Sequence, residues 1–117
     1  SGFMRTVGEN RRLVESVSLR PIANDEKAVV FAVKLAGVPR ENVTISVDAE
    51  GLLTVDAKYR EKSSIEGEGE AEYSYFAQRQ LPYGIDAAKV SAEYKDGLLK
   101  ITVPKPSKED ITKVTVM

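Results

Sequence analysis

Any chemistry in this 117-residue chain must come from carboxylates, hydroxyls, lysines and arginines, because it contains neither histidine nor cysteine. Lacking histidine, it has no group of the kind that most often serves as general base or metal ligand near neutral pH. Lacking cysteine, it has no thiol nucleophile, no disulfide and no thiolate zinc site. No serine sits in a nucleophile-elbow motif, and no glycine-rich phosphate loop ends in Lys-Ser or Lys-Thr. Gly67-Glu68-Gly69 echoes a nucleotide-loop fragment, yet Glu66 and Glu70 beside it would repel a phosphate. Paired carboxylates could hydrolyse a glycoside, and the acids Glu61, Glu66, Glu68, Glu70 and Glu72 could bind calcium. The oxygen-ligand spacing of a calcium loop is absent, however, and alternate glutamates describe a solvated strand face. A non-enzymatic protein without cofactor or metal is expected.

Seventeen basic residues stand against eighteen acidic ones, a net charge of −1. Such a balance creates no global field for nucleic acid or an anionic membrane. Arg11-Arg12 is an isolated basic pair, and Tyr73, Tyr75 and Phe76 lie beside acids, unlike a base-stacking surface. No apolar run approaches the ~20 residues that span a bilayer. The N-terminus carries no apolar signal block, and Ser1-Gly2 reads as a tag remnant. These features predict a soluble, cytoplasmic protein with no integral membrane association. The length fits one domain, and a 42% hydrophobic content is that of a globular chain.

The elements that would position any site have a period of two. Val29, Phe31, Val33 and Leu35 alternate with Val30, Ala32 and Lys34; Val43, Ile45 and Val47 alternate with Thr44, Ser46 and Asp48. Val90, Ala92 and Tyr94, and then Leu99, Ile101 and Val103, repeat the pattern. Alternation of this kind marks strands with one buried face. Ala49-Glu50-Gly51 and Lys95-Asp96-Gly97 break it with hairpin chemistry, and Pro39, Pro82 and Pro104 fall at strand ends. The spacing predicts an all-β, immunoglobulin-like antiparallel β-sandwich of about 7–9 strands. Arg5 to Val14 is the one stretch that could form a short helix, against the tendency of Gly8. Lys58 to Glu72, rich in Ser, Gly and Glu with Ile65 as its lone large apolar residue, reads as a long loop, an interaction loop in preference to an inert linker.

Three segments, in order, resemble the α-crystallin domain of the small heat-shock protein family. Leu35-Ala36-Gly37-Val38-Pro39-Arg40-Glu41-Asn42-Val43 is similar to the family's L-P-G-V, charged turn and apolar strand. Leu81-Pro82-Tyr83-Gly84-Ile85-Asp86 is the second segment. Ala92-Glu93-Tyr94-Lys95-Asp96-Gly97-Leu98-Leu99, followed by Ile101-Thr102-Val103-Pro104-Lys105, matches the A-x-x-x-n-G-x-L signature. Val114-Thr115-Val116, after the polar spacer Pro106 to Asp110, resembles the terminal I/V-x-I/V motif. The likeness divides the chain into an N-terminal arm (1–15), the α-crystallin domain (16–105) and a C-terminal extension (106–117). It departs from the family at F-x-R-x-F: the arginine position falls on Ala77, with Tyr75 and Arg79 at the aromatic positions. The N-terminal arm is also short.

The resemblance implies an ATP-independent holdase whose partners are unfolded or partly unfolded client proteins. It also implies a homodimer and larger homo-oligomers built by strand exchange and tail-in-groove contacts. The tail motif would be Val114 and Val116; the groove would be formed by Val43, Ile45 and Val47 with Val90, Ala92 and Tyr94. Alternation alone leaves open whether each of those six meets a groove or the sandwich core. Dimer contacts would come from Ile65, Tyr73, Tyr75 and Arg79, with Lys58–Glu72 similar to the loop that bacterial, archaeal and plant members exchange. The alternatives are a co-chaperone of the related p23-type sandwich and a non-catalytic β-sandwich binding module.

Overall fold

Nine strands form two sheets in the computed structural model, which describes residues 2–7, 10–107 and 111–117. They are β1 (Gly2–Val7), β2 (Asn10–Ser16), β3 (Arg20–Asn24), β4 (Ala28–Lys34), β5 (Val43–Val47), β6 (Leu52–Lys62), β7 (Glu70–Gln80), β8 (Ser91–Lys95) and β9 (Leu98–Pro104). One sheet has the order β1-β2-β7-β6-β5 and the other β3-β4-β9-β8. Every strand pair is antiparallel except β2 with β7, which is parallel. The all-β sandwich read from the alternation is the observed architecture.

The core is made by the inward-facing set of each strand. Val29, Phe31, Val33 and Leu35 from β4 and its exit meet Leu53, Val55 and Ala57 of β6 and Leu99, Ile101 and Val103 of β9. Leu35, Leu53, Ile101 and Val103 are completely buried. Burying each such side chain contributes roughly 1.5–3 kcal/mol. The β8–β9 turn is Asp96-Gly97, between the facing residues Lys95 and Leu98. Both turn residues have positive φ, 51° and 77°, as a tight primed hairpin turn requires. A Cβ on Gly97 would lie 3.2 Å from the Ala36 Cα, so glycine also lets the β4 exit pass close by.

Two expectations are corrected. The stretch Arg5 to Val14 is not helical: its described residues lie in β1 and β2, with Leu13 opposite Tyr73 and Val14 opposite Ser74. A long edge along β7 offered unpaired backbone groups, and pairing with it outweighs the weak helix propensity of a short segment. Nor is Lys58–Glu72 one long loop. Strands β6 and β7 continue through it, pairing from Leu52–Gln80 out to Lys62–Glu70, and only Ser63–Gly69 turn. The polar composition that suggested a loop belongs to strands wet on one face.

Candidate functional site: a groove between two free strand edges

Strands β5 and β8 end their respective sheets, so each keeps one edge unpaired. They lie on the same side of the sandwich. Ile45 and Val47 from β5, with Val90 and Ala92 on the other wall, line a groove of about 230 Å³ together with Ser46, Ala87 and Ser91. The short turn Ala87–Lys89 sets the start of β8, and the Asp86 carboxylate caps it by accepting from the Ala88 N–H at 3.0 Å. Ile45, Val47 and Val90 are half-buried and pack against the core from outside. They therefore touch the core while leaving an apolar flank in the groove.

Of the six residues assigned to the groove, the structure brings four together: Ile45, Val47, Val90 and Ala92. Val43 and Tyr94 sit beyond its end. The Tyr94 hydroxyl lies 2.7 Å from the carbonyl oxygens of both Leu35 and Val38, tying the chain after β4 to β8. Burial pushes its phenol above the ordinary value. Arg40, in the short 3-10 turn Arg40–Asn42, donates from Nη2 to the Tyr94 carbonyl oxygen at 2.8 Å. Behind that contact lies a separate cavity of about 590 Å³, lined by Val38, Pro39, Asn42, Tyr59, Arg60 and Tyr94. Nothing in the sequence pattern singled out Arg40; the Pro39 before it marked only the strand end.

The tail residues are placed in solvent. Val114 is 86% exposed and Val116 94%, and residues 111–117 carry no secondary structure. Among the residues assigned to a dimer contact, Ile65 lies at the Ser63–Gly69 turn and is 60% exposed. Tyr73 stacks on Tyr59 with ring centroids 4.8 Å apart and planes 13° from parallel. Tyr75 is half-buried and packs against the core. Arg79 is engaged within its own chain: its guanidinium lies 4.8 Å from the Phe31 ring centroid and donates to the Leu19 carbonyl oxygen at 3.3 Å. Ala77, at the family's arginine position, is buried in the core.

Sequence reading missed Tyr59. With Lys62 opposite Glu70, the hairpin register puts Tyr59 directly opposite Tyr73, a signal available once the loop is read as strands. The same register aligns Glu72 with Arg60, and the parallel pairing aligns it with Arg12. No group of three or more potential metal ligands occurs among the described residues, nor any helix long and apolar enough to cross a membrane.

The two-sheet sandwich has the fold of solved α-crystallin domains. The Hsp20/alpha crystallin family model matches residues 21–116, and the chain belongs to that family. It is 35% identical over 85 residues to a 17.7 kDa class II heat shock protein of Arabidopsis thaliana, covering 67% of this chain and 54% of that protein. It is 28% identical over 100 residues to small heat shock protein C4 of Rickettsia felis, covering 81% of this chain and 61% of that one. The chain thus spans little more than half the length of these curated relatives. Among solved structures, stress-induced protein 1 from Caenorhabditis elegans superposes with a TM-score of 0.63 at 19% identity, covering 81% of this chain and 95% of that one. The rat alpha crystallin domain gives 0.59 at 18%, covering 81% and 98%. At such identities the structural likeness speaks for the fold.

Proposed function

We propose that the protein is an ATP-independent holdase chaperone that binds unfolding proteins and assembles by laying its tail in the β5–β8 groove of another copy. The observation that carries this reading is the match between groove and tail. Ile45 and Val47, like Val90 and Ala92, repeat at the two-residue spacing of the exposed Val114 and Val116. An extended segment added to a free strand edge gains backbone hydrogen bonds while alternate side chains fill pockets. The relatives named above are heat shock proteins, which supports a chaperone role. Subunit pairing is ascribed to the β6–β7 hairpin, whose exposed Ile65 and tyrosine face replace the loose loop expected from sequence. A cytoplasmic location completes the proposal, although some relatives are chloroplastic proteins.

Magnitudes make such an assembly dynamic. Two buried valines contribute at most ~1.5–3 kcal/mol each, against ~4–15 kcal/mol lost on association. A single tail is therefore weakly held, and several linked contacts are needed for a lasting oligomer. Released tails uncover apolar edges for clients. Suppressed aggregation of a heat-unfolded client without nucleotide tests the activity. Val114→Asp with Val116→Asp tests the assembly: native mass should fall toward the dimer while the far-UV spectrum stays that of a folded sandwich. Unchanged mass by light scattering would overturn the tail contact.

A further inference from the structure

We infer that Arg40 sets the length of segment the groove accepts, stopping it after two apolar residues. This rests on the tail-in-groove reading, with the tail of a second copy taken antiparallel to β8.

Peptide groups along a strand alternate between its two edges. The Tyr94 carbonyl points to the free edge of β8, since Arg40 reaches it there. Ala92, two residues earlier and facing Ile101 on β9 as Tyr94 faces Leu99, presents its N–H and carbonyl to the same free edge. An incoming strand can thus pair with Ala92. The next pairing site along the edge is Tyr94, where the acceptor is already taken by the Arg40 guanidinium at 2.8 Å. The bond also ties the segment entering β5 to β8.

Two apolar residues are therefore admitted, and the tail supplies two. With Val114 opposite Ala92 and Val116 opposite Val90, the tail runs antiparallel to β8. Period two then brings Thr112 opposite Tyr94, the blocked position. A polar residue is tolerated there because no apolar pocket is open to it. Without Arg40, the flanks of Val43 and Tyr94 become a third apolar subsite.

The test uses the full chain carrying Val114→Asp and Val116→Asp, so that its own tail does not compete, with and without Arg40→Ala. The probe is a fluorescent peptide of residues 111–117 and its Thr112→Val form. With Arg40 present, the two peptides should bind within about twofold of each other. With Arg40→Ala, the Thr112→Val peptide should bind about tenfold more tightly than its parent, the worth of one additional buried valine. Should Arg40→Ala fail to give a folded sandwich by thermal melt, Arg40→Met keeps the stem without the donors and should show the same gain. Equal affinities in the absence of Arg40, or an equal gain in its presence, would overturn the inference. Failure of either peptide to bind the Arg40 chain would instead overturn the tail-in-groove reading on which it stands.

Discussion

Around Ile101 two sheets face each other and exclude water between them; along the outer β6–β7 hairpin the same sheet continues with far less apolar cover. The contiguous core cluster reaches to Ala57 on β6 and starts at Ala77 on β7, with Ala71 buried apart from it. Outward from there, order comes from the Tyr59–Tyr73 stack and from Glu72, flanked by Arg12 at 3.8 Å and Arg60 at 3.6 Å. The turn is closed locally, with the Ser63 N–H donating to the Gly69 carbonyl at 3.0 Å. The contrast teaches that one strand can change its source of stability partway along. Burial fixes the inner half of β6, whereas aromatic and ionic contacts hold the outer half.

The largest effect should come from the closed region. Ile101 is fully buried between the sheets, so Ile101→Ala removes transfer energy and leaves a cavity. A loss of about 2–5 kcal/mol is expected, visible as a lowered denaturant midpoint with the slope unchanged. Tyr73→Ala in the hairpin should cost less, about 1–2 kcal/mol, because the pair is worth roughly 0.5–1.5 kcal/mol beyond its burial. Its signature should also differ: hydrogen exchange should accelerate in Lys58–Lys62 and Glu70–Ser74 but not in β4 or β9. Uniform acceleration would show that the two regions unfold as one unit.

Alkaline pH sharpens the same contrast. Burial raises the Tyr59 phenol above its ordinary value of 10.0, with Tyr75, Tyr73 and Glu61 adding to the rise. A raised folded pKa means that the unfolded chain loses its proton first. The stabilisation is therefore complete below about pH 10 and disappears as pH climbs through the folded value. Tyr59→Phe should flatten the alkaline fall in melting temperature. An identical fall in that variant would place the titrating group elsewhere.

The two regions were also unequally legible in the sequence. Val29, Phe31, Val33 and Leu35 announced a half-buried strand because each apolar residue had to face one core. Asp96-Gly97 announced its turn because few residues adopt positive φ cheaply. Alternation put Ile45 and Val47, and Val90 and Ala92, on shared strand faces, but only the family resemblance pointed those faces to a groove. The outer hairpin was hidden because its strands carry Glu, Lys and Ser on the wet face and tyrosines on the other, a composition shared with loops. β2 was hidden more deeply. Its partner lies sixty residues away at Glu70, whose N–H donates to the Asn10 side chain at 3.0 Å, and no local pattern encodes that pairing. Arg40 acts through one long-range contact, to Tyr94, and Arg79 through two, to Phe31 and Leu19, which periodicity cannot register.

The smallest effect, and the finest test of how the hairpin is held, concerns Glu72. Its carboxylate is the shared acceptor between β2 and β6, and its side chain is only 17% exposed while Arg12 and Arg60 are largely in solvent. At 3.6 and 3.8 Å the pairs are long, and exposed ion pairs of this kind contribute about 0–1 kcal/mol. Glu72→Gln should therefore lower stability by less than about 1 kcal/mol in dilute buffer. The difference from the parent should shrink further near 1 M salt, where screening acts over about 3 Å. Tyr73→Ala should show no such dependence, because ring stacking and burial carry no net charge. If the Glu72→Gln deficit instead persists at high salt, the side chain contributes through packing between Arg12 and Arg60. The hairpin would then be held, like the core, mainly by excluded water.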